Sequence, residues 1–143
     1  ETEHYFTLLL ADVNLDTGTV TMAQAGHPNP VVQRADGCVE IDGPGGLPVG
    51  LIDGAAYEQF QLDLHPGDRL MIYSDGIVEC SNPQGQLLSE EGLTLIMKDL
   101  RQTHGMAFME SLIWKMTDYS GDGDFEDDVS AVLLEFKPSL PAT

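Results

Sequence analysis

The sequence predicts an α+β domain in which antiparallel β-sheets are packed with helices. Three observations carry this. Apolar runs of strand length fill the first two thirds of the chain, tight turn clusters separate them, and two amphipathic stretches of helical period follow before a last apolar run. Connections this short favour an antiparallel meander over a parallel sheet, which needs long crossovers.

The elements follow in order. "YFTLLLADV" (5–13), the turn cluster "NLDTG" and "TVTMAQA" (19–25) form a hairpin. "VVQR" (31–34), the turn "ADG" and "CVEI" (38–41) form a second. The glycine-rich "GPGGLPVGL" (43–51) lacks both a Lys-Ser/Thr ending and the G-x-G-x-x-G pattern, so it is read as a rigid connector, not a phosphate loop. "YEQFQLDL" (57–64) alternates polar and apolar residues, as a half-exposed strand near an edge does. "HPGD" turns the chain into a strand at 69–73, whose continuous apolar run suits burial on both faces. Ser89 is the expected cap of the first helix, "EEGLTLIMKDLRQTH", with Leu93, Ile96, Met97 and Leu100 on one face. After Gly105, "MAFMESLIWKMTDY" repeats the pattern with Phe108, Met109, Leu112, Ile113 and Met116 as core packing. The acidic loop "SGDGDFEDD" leads into a closing strand at 129–136, and residues 138–143 are expected to be a disordered tail.

The 143 residues suffice for one domain with a real core. With 24 acidic against 6 basic side chains the formal charge is -18, which argues against nucleic acid or an anionic membrane as partner. A negative surface keeps such a domain soluble and is compatible with divalent cations or a basic protein surface. Cys38 and Cys80 are too few and too isolated for a disulfide framework or a zinc site. With no signal peptide and no apolar run near 18 residues, the domain is read as cytoplasmic with reduced thiols.

Two acidic features bear on chemistry. Asp75 follows the apolar strand 69–73 directly, and Glu126, Asp127 and Asp128 immediately precede the last strand. If those strands lie antiparallel in one sheet, Asp75 and Asp127 converge at one rim. Close carboxylates repel unless a proton or a metal lies between them, and hard oxygen ligands suit Mg²⁺ or Mn²⁺. From spacing alone, two unrelated surface turns are the simpler reading, since Ser-Asp-Gly is an ordinary turn sequence. An EF-hand fails: counted from Asp118, Gly123 is correctly sixth but the twelfth residue is Val129. His27 in "AGHPNP" is available as a general acid, although a histidine in a Gly-Pro turn is more often structural. No Ser-His-Asp or Cys-His arrangement marks a covalent nucleophile.

Taken in order, "AQAGHPNPVV", "GGLPVGL", "GDRLMIYSDGIVEC" and "FEDDVSAVLLEF" resemble the bacterial SpoIIE/RsbU-type serine phosphatases, the prokaryotic branch of the phosphatase 2C-like, metal-dependent family. The resemblance runs from "YFTLLLADVNLDTG" to "AVLLEF". It implies an α-β-β-α sandwich with a dinuclear Mn²⁺ or Mg²⁺ site at one end of the sheets. It also implies hydrolysis of phosphoserine or phosphothreonine on a small protein, such as a STAS-type anti-sigma factor antagonist, by a domain that follows a sensory or receiver module. Asp75 matches the metal-binding aspartate of the family's "DG" motif and Asp127 the first residue of its "DD-x-T" motif, so both are expected metal ligands that act in catalysis through the bound metal and its activated water. Asp128, Gly76 and Glu79 are expected beside them in supporting roles. Ser130 stands where the family usually has Thr and keeps the hydroxyl. A further family motif, similar to "D-V-S-G-H-G", has no counterpart here.

Residues 1–137 therefore read as the C-terminal part of a phosphatase 2C-like domain, expected to hold at most one weakly bound ion. Loss of the remaining helices is expected to expose an apolar sheet face and to make the fragment dimerise. The rival class is a phosphatase-like module that binds a partner without hydrolysis.

Overall fold

The structure is a computed structural model and describes residues 4–121 and 123–137, so the expected tail at 138–143 lies outside the described residues. In chain order the strands are β1 (Leu8–Val13), β2 (Thr19–Ala25), β3 (Val31–Gln33), β4 (Val39–Ile41), β5 (Gln59–Asp63) and β6 (Arg69–Tyr73). The helices α1 (Asp75–Val78), α2 (Ser89–Asp99) and α3 (Gly105–Ser120) precede β7 (Ala131–Glu135).

Both expected hairpins form, but the continuous meander does not. The strands divide into a three-stranded sheet of order β1-β2-β5 and a four-stranded sheet of order β4-β3-β6-β7. Every ladder between these strands is antiparallel: β5 returns to β2, and β6 returns to β3. Short connections are compatible with either arrangement; burial decides between them. Val31 and Met71 face the helices while their neighbours Val32 and Leu70 face the other sheet, so β3 and β6 are covered on both sides. That double cover is why "LMIY" runs apolar without alternation. The strand at β5 alternates and lies at a sheet edge, as its sequence predicts.

One core layer lies between the sheets, with Val20, Met22, Leu62, Val32, Leu70 and Phe136. A second lies between the four-stranded sheet and the helices, where Tyr73, Leu93, Met97, Phe108, Leu112 and Met116 are buried. Two expectations about the helices need correction. Ser89 does not cap α2: Leu88 takes the cap position, its buried side chain tied to the core and its amide donating to the Cys80 carbonyl at 2.7 Å. The sharp entry that results puts Ser89 at φ 63°, in the left-handed region. Ile113 is 42% exposed rather than buried, because the buried stripe of α3 advances by four residues through Phe108, Leu112 and Met116 to Ser120.

The glycine-rich connector is packed, not loose. It folds back on the loop after β2, where a Cβ on Gly26 would stand 2.7 Å from Pro48. The outer face of the three-stranded sheet is less apolar than expected. Leu8 and Leu10 are exposed on it, but the pairing register puts Asp12, Thr19, Thr21, Gln59, Gln61 and Asp63 on the same face. Among the described residues, no helix is long and apolar enough to cross a membrane.

Candidate metal centre

The pair β6–β7 sets the site. Its register runs from Arg69 opposite Glu135 to Tyr73 opposite Ala131, so the end of β6 lies beside the start of β7. Asp75 leaves the first strand two residues beyond that last pair, and Asp127 and Asp128 approach the second from the same side. The expected convergence at one rim is thereby met by the backbone.

Beyond the ladder the two segments stay joined. The Ser74 amide donates to the Ser130 carbonyl at 2.9 Å, and the Ser130 amide donates to the Ser74 hydroxyl oxygen at 2.9 Å. The same hydroxyl donates to the Asp128 carbonyl at 3.2 Å. Gly76 is buried in this seam, where any Cβ would overlap the Asp128 carbonyl oxygen. A side chain at position 76 would thus wedge the two acidic segments apart, which explains the glycine after Asp75 better than turn chemistry does.

Each expected residue can now be placed. Asp75 opens the single helical turn α1, and its side chain is exposed. Glu79 closes that turn, its amide donating to the Asp75 carbonyl at 2.9 Å, and its side chain points to solvent. Asp127 is exposed, with Oδ1 accepting from the Asp128 amide at 2.8 Å. Asp128 is exposed as well, and its role in the seam is played by its backbone. Glu126 accepts a bond from the Ser81 hydroxyl at 3.3 Å. His27 lies in the loop after β2 with its ring Nδ1 3.1 Å from the Pro28 carbonyl, an arrangement that suits the structural role. Sequence reasoning missed Ser74; its signal was the serine immediately before Asp75, facing a second serine two residues after Asp128.

No basic side chain forms an ion pair with Asp75, Asp127 or Asp128 among the described residues. Tyr73, buried directly beneath the rim, has its phenol pushed up to about 12 by burial first and by the charges of Glu90 and Asp75 second. Its hydroxyl has no hydrogen-bond partner among the described residues. In donor chemistry the rim fits a hard divalent cation: exposed carboxylate oxygens, unpaired with any basic side chain among the described residues. In number it falls short. Among the described residues no three His, Cys, Asp or Glu side chains gather into a group able to hold a metal ion.

Two stacked antiparallel sheets with helices on one side and an acidic rim define the class: this is the fold of the PP2C-like phosphatase domains. The phosphatase domain of the cell fate determinant SpoIIE from Bacillus subtilis, in its Mn-presoaked form, superposes with a TM-score of 0.77 at 21% identity, over 96% of this chain and 59% of that one. The SiaA-PP2C domain of Pseudomonas aeruginosa gives a TM-score of 0.74 at 16% identity, over 85% of this chain and 48% of that one. The family model for stage II sporulation protein E (SpoIIE) matches residues 1–137, and the chain belongs to that family. Phosphoserine phosphatase RsbU of Bacillus subtilis is 32% identical over 84 residues, 58% of this chain and 25% of that protein. The chain thus spans about a quarter of RsbU and about three fifths of the SpoIIE domain structure.

Proposed function

We propose that this chain carries one wall of the dinuclear metal site of a serine/threonine protein phosphatase, with Asp75 and Asp127 as its metal ligands. The observation that supports this most is the seam at Ser74, Gly76, Asp128 and Ser130, which locks two exposed acidic segments side by side at the end of β6–β7. Residues 1–137 are then the C-terminal part of the domain, and further ligands come from sequence corresponding to the part of the relatives that this chain does not match.

Bound there, Mn²⁺ or Mg²⁺ would activate a water as nucleophile and neutralise phosphoryl oxygens. The chain's own contribution is to hold carboxylates where that charge is needed. Asp75 is fixed by the strand behind it, and Asp127 by the Asp128 amide at its Oδ1. Asp128 and Glu79 keep the surroundings negative, and Gly76 keeps the two segments close. The two-metal reading supports direct attack by that water on phosphorus, without a phosphoenzyme. The resemblance to the SpoIIE/RsbU phosphatases supports a small phosphoprotein as substrate, of the STAS-type anti-sigma factor antagonist class, with a sensory or receiver module governing the domain in the cytoplasm.

The test is Mn²⁺-dependent hydrolysis of a phosphoserine peptide by the intact protein. Asp75→Asn and Asp127→Asn should each lower turnover by at least ~100-fold, more than the loss of a residue that merely supports a ligand. Thermal stability should hold or rise, since each change removes like-charge repulsion. Wild-type turnover by Asp75→Asn at saturating Mn²⁺ would refute the assignment of Asp75, whereas no hydrolysis by the intact wild-type protein would leave the non-catalytic binding module as the reading.

A further inference from the structure

A serine just ahead of a helix ordinarily lends its side-chain oxygen to the N–H groups of the first turn. Ser74 holds that place before α1, with φ −83° and ψ 159°, yet makes no such bond. Its hydroxyl is spent across the seam instead, donating to the Asp128 carbonyl and accepting from the Ser130 amide. With its own amide on the Ser130 carbonyl, this one residue makes three bonds to the segment 128–130. They begin where the β6–β7 ladder ends, at the Tyr73–Ala131 pair.

From this we infer that Ser74 is a positioning residue for the metal site: its hydroxyl sets the spacing between the Asp75 and Asp127 segments before any cation arrives. The inference rests on the reading of Asp75 and Asp127 as metal ligands. The path between them is short. Asp75 is the next residue in the chain, and the Asp127 carboxylate is held by the amide of Asp128, the residue whose carbonyl Ser74 holds. Without metal the acidic segments repel one another. The backbone bond from Ser74 to Ser130 holds one end of the loop and the Ser81–Glu126 bond the other, so without the hydroxyl the Asp127 and Asp128 stretch between them loses its tie to the end of β6. A ligand held in place before binding needs no reordering when the ion arrives, and the groups that do the holding tune affinity without touching the metal.

The experiment compares Ser74→Ala and Ser74→Thr in the intact protein, with Asp75→Asn as reference. Calorimetry reads Mn²⁺ affinity, and hydrogen exchange of the Ser130 amide in the metal-free protein reads the clamp itself. Ser74→Ala should weaken Mn²⁺ binding about 10- to 100-fold, the usual effect of losing a group that orients a ligand. It should also speed exchange at Ser130. Ser74→Thr, which retains the hydroxyl, should preserve both. If Ser74→Ala binds Mn²⁺ as tightly as the wild type while Asp75→Asn does not, the positioning role is overturned and the site stands. If Ser74→Thr loses as much affinity as Ser74→Ala, packing rather than the hydroxyl is responsible, and the inference again falls. If Asp75→Asn leaves affinity unchanged, the site assignment fails and the inference with it.

Discussion

Arg69 and Glu135 face each other at one end of the β6–β7 pair; about 13 Å along the same strands, at ~3.3 Å per residue, Asp75 and Asp127 flank the other. At the first end charge is buried and answered. Arg69 is 3% exposed, and its guanidinium donates to Gln33, to the Thr103 carbonyl at 2.6 Å and to the Leu100 carbonyl at 2.9 Å. It lies 4.5 Å from the centre of the Phe108 ring and 3.6 Å from Glu135. Asp68, equally buried, accepts from Arg34 and from the amides of His65 and Ala35. At the second end the carboxylates are exposed, and among the described residues no basic side chain pairs with them. The contrast separates charge that holds a fold together from charge held ready for something outside it.

The largest expected effect tests the structural end. Arg69→Ala should destabilise the domain by about 3–5 kcal/mol, because it leaves Gln33 Oε1 and the Leu100 and Thr103 carbonyls after α2 without their buried donor and takes the cation from beside Glu135. That is a large share of a typical domain's stability, so urea denaturation will register it plainly. A loss under about 1 kcal/mol would mean that this network is no more than a surface ion pair.

A smaller effect sharpens the comparison by pH. Burial, the largest influence on both Asp68 and Glu135, pushes their carboxyls up. It is outweighed at Asp68 by bonds from His65, Arg34 and Ala35, and at Glu135 by His104, the Gly105 amide and Arg69, so both lie below their usual range. A carboxyl lowered on folding adds stability that is present above its unfolded value, near pH 4. That stability drains away as pH falls through the lowered folded value. Denaturation of Asp68→Asn should therefore show a deficit at pH 6 that narrows by pH 3. A deficit of constant size across that range would contradict the linkage.

The sequence displayed much of this. β2 falls on residues 19–25 and β6 on 69–73 as read, because turn residues bound both runs sharply. The sequence offered the antiparallel placement of the last strand beside β6 only as a condition, and the register of the pair meets it. The division into two sheets did not. It depends on which neighbour of each apolar pair faces which layer, as with Val31 and Val32, and both residues look alike in sequence. The cap of α2 was missed because burial of Leu88 overrode the preference of Ser89. Ser74 was missed for a related reason: its hydroxyl bonds to residues more than fifty positions away, which no local pattern encodes.

The central claim is that the rim of Asp75 and Asp127, and not the general acidity of a chain of charge -18, is where a divalent cation binds. Paramagnetic broadening of amide signals by substoichiometric Mn²⁺ tests it directly, since the ion erases signals only near where it rests. Broadening should appear first at Asp75, Gly76, Asp127 and Asp128, spare Arg69 and Glu135, and vanish from the rim in Asp75→Asn. Broadening that begins instead at other acidic segments such as Asp12–Asp16 or Glu90–Glu91, or that spreads evenly over the surface, would contradict it.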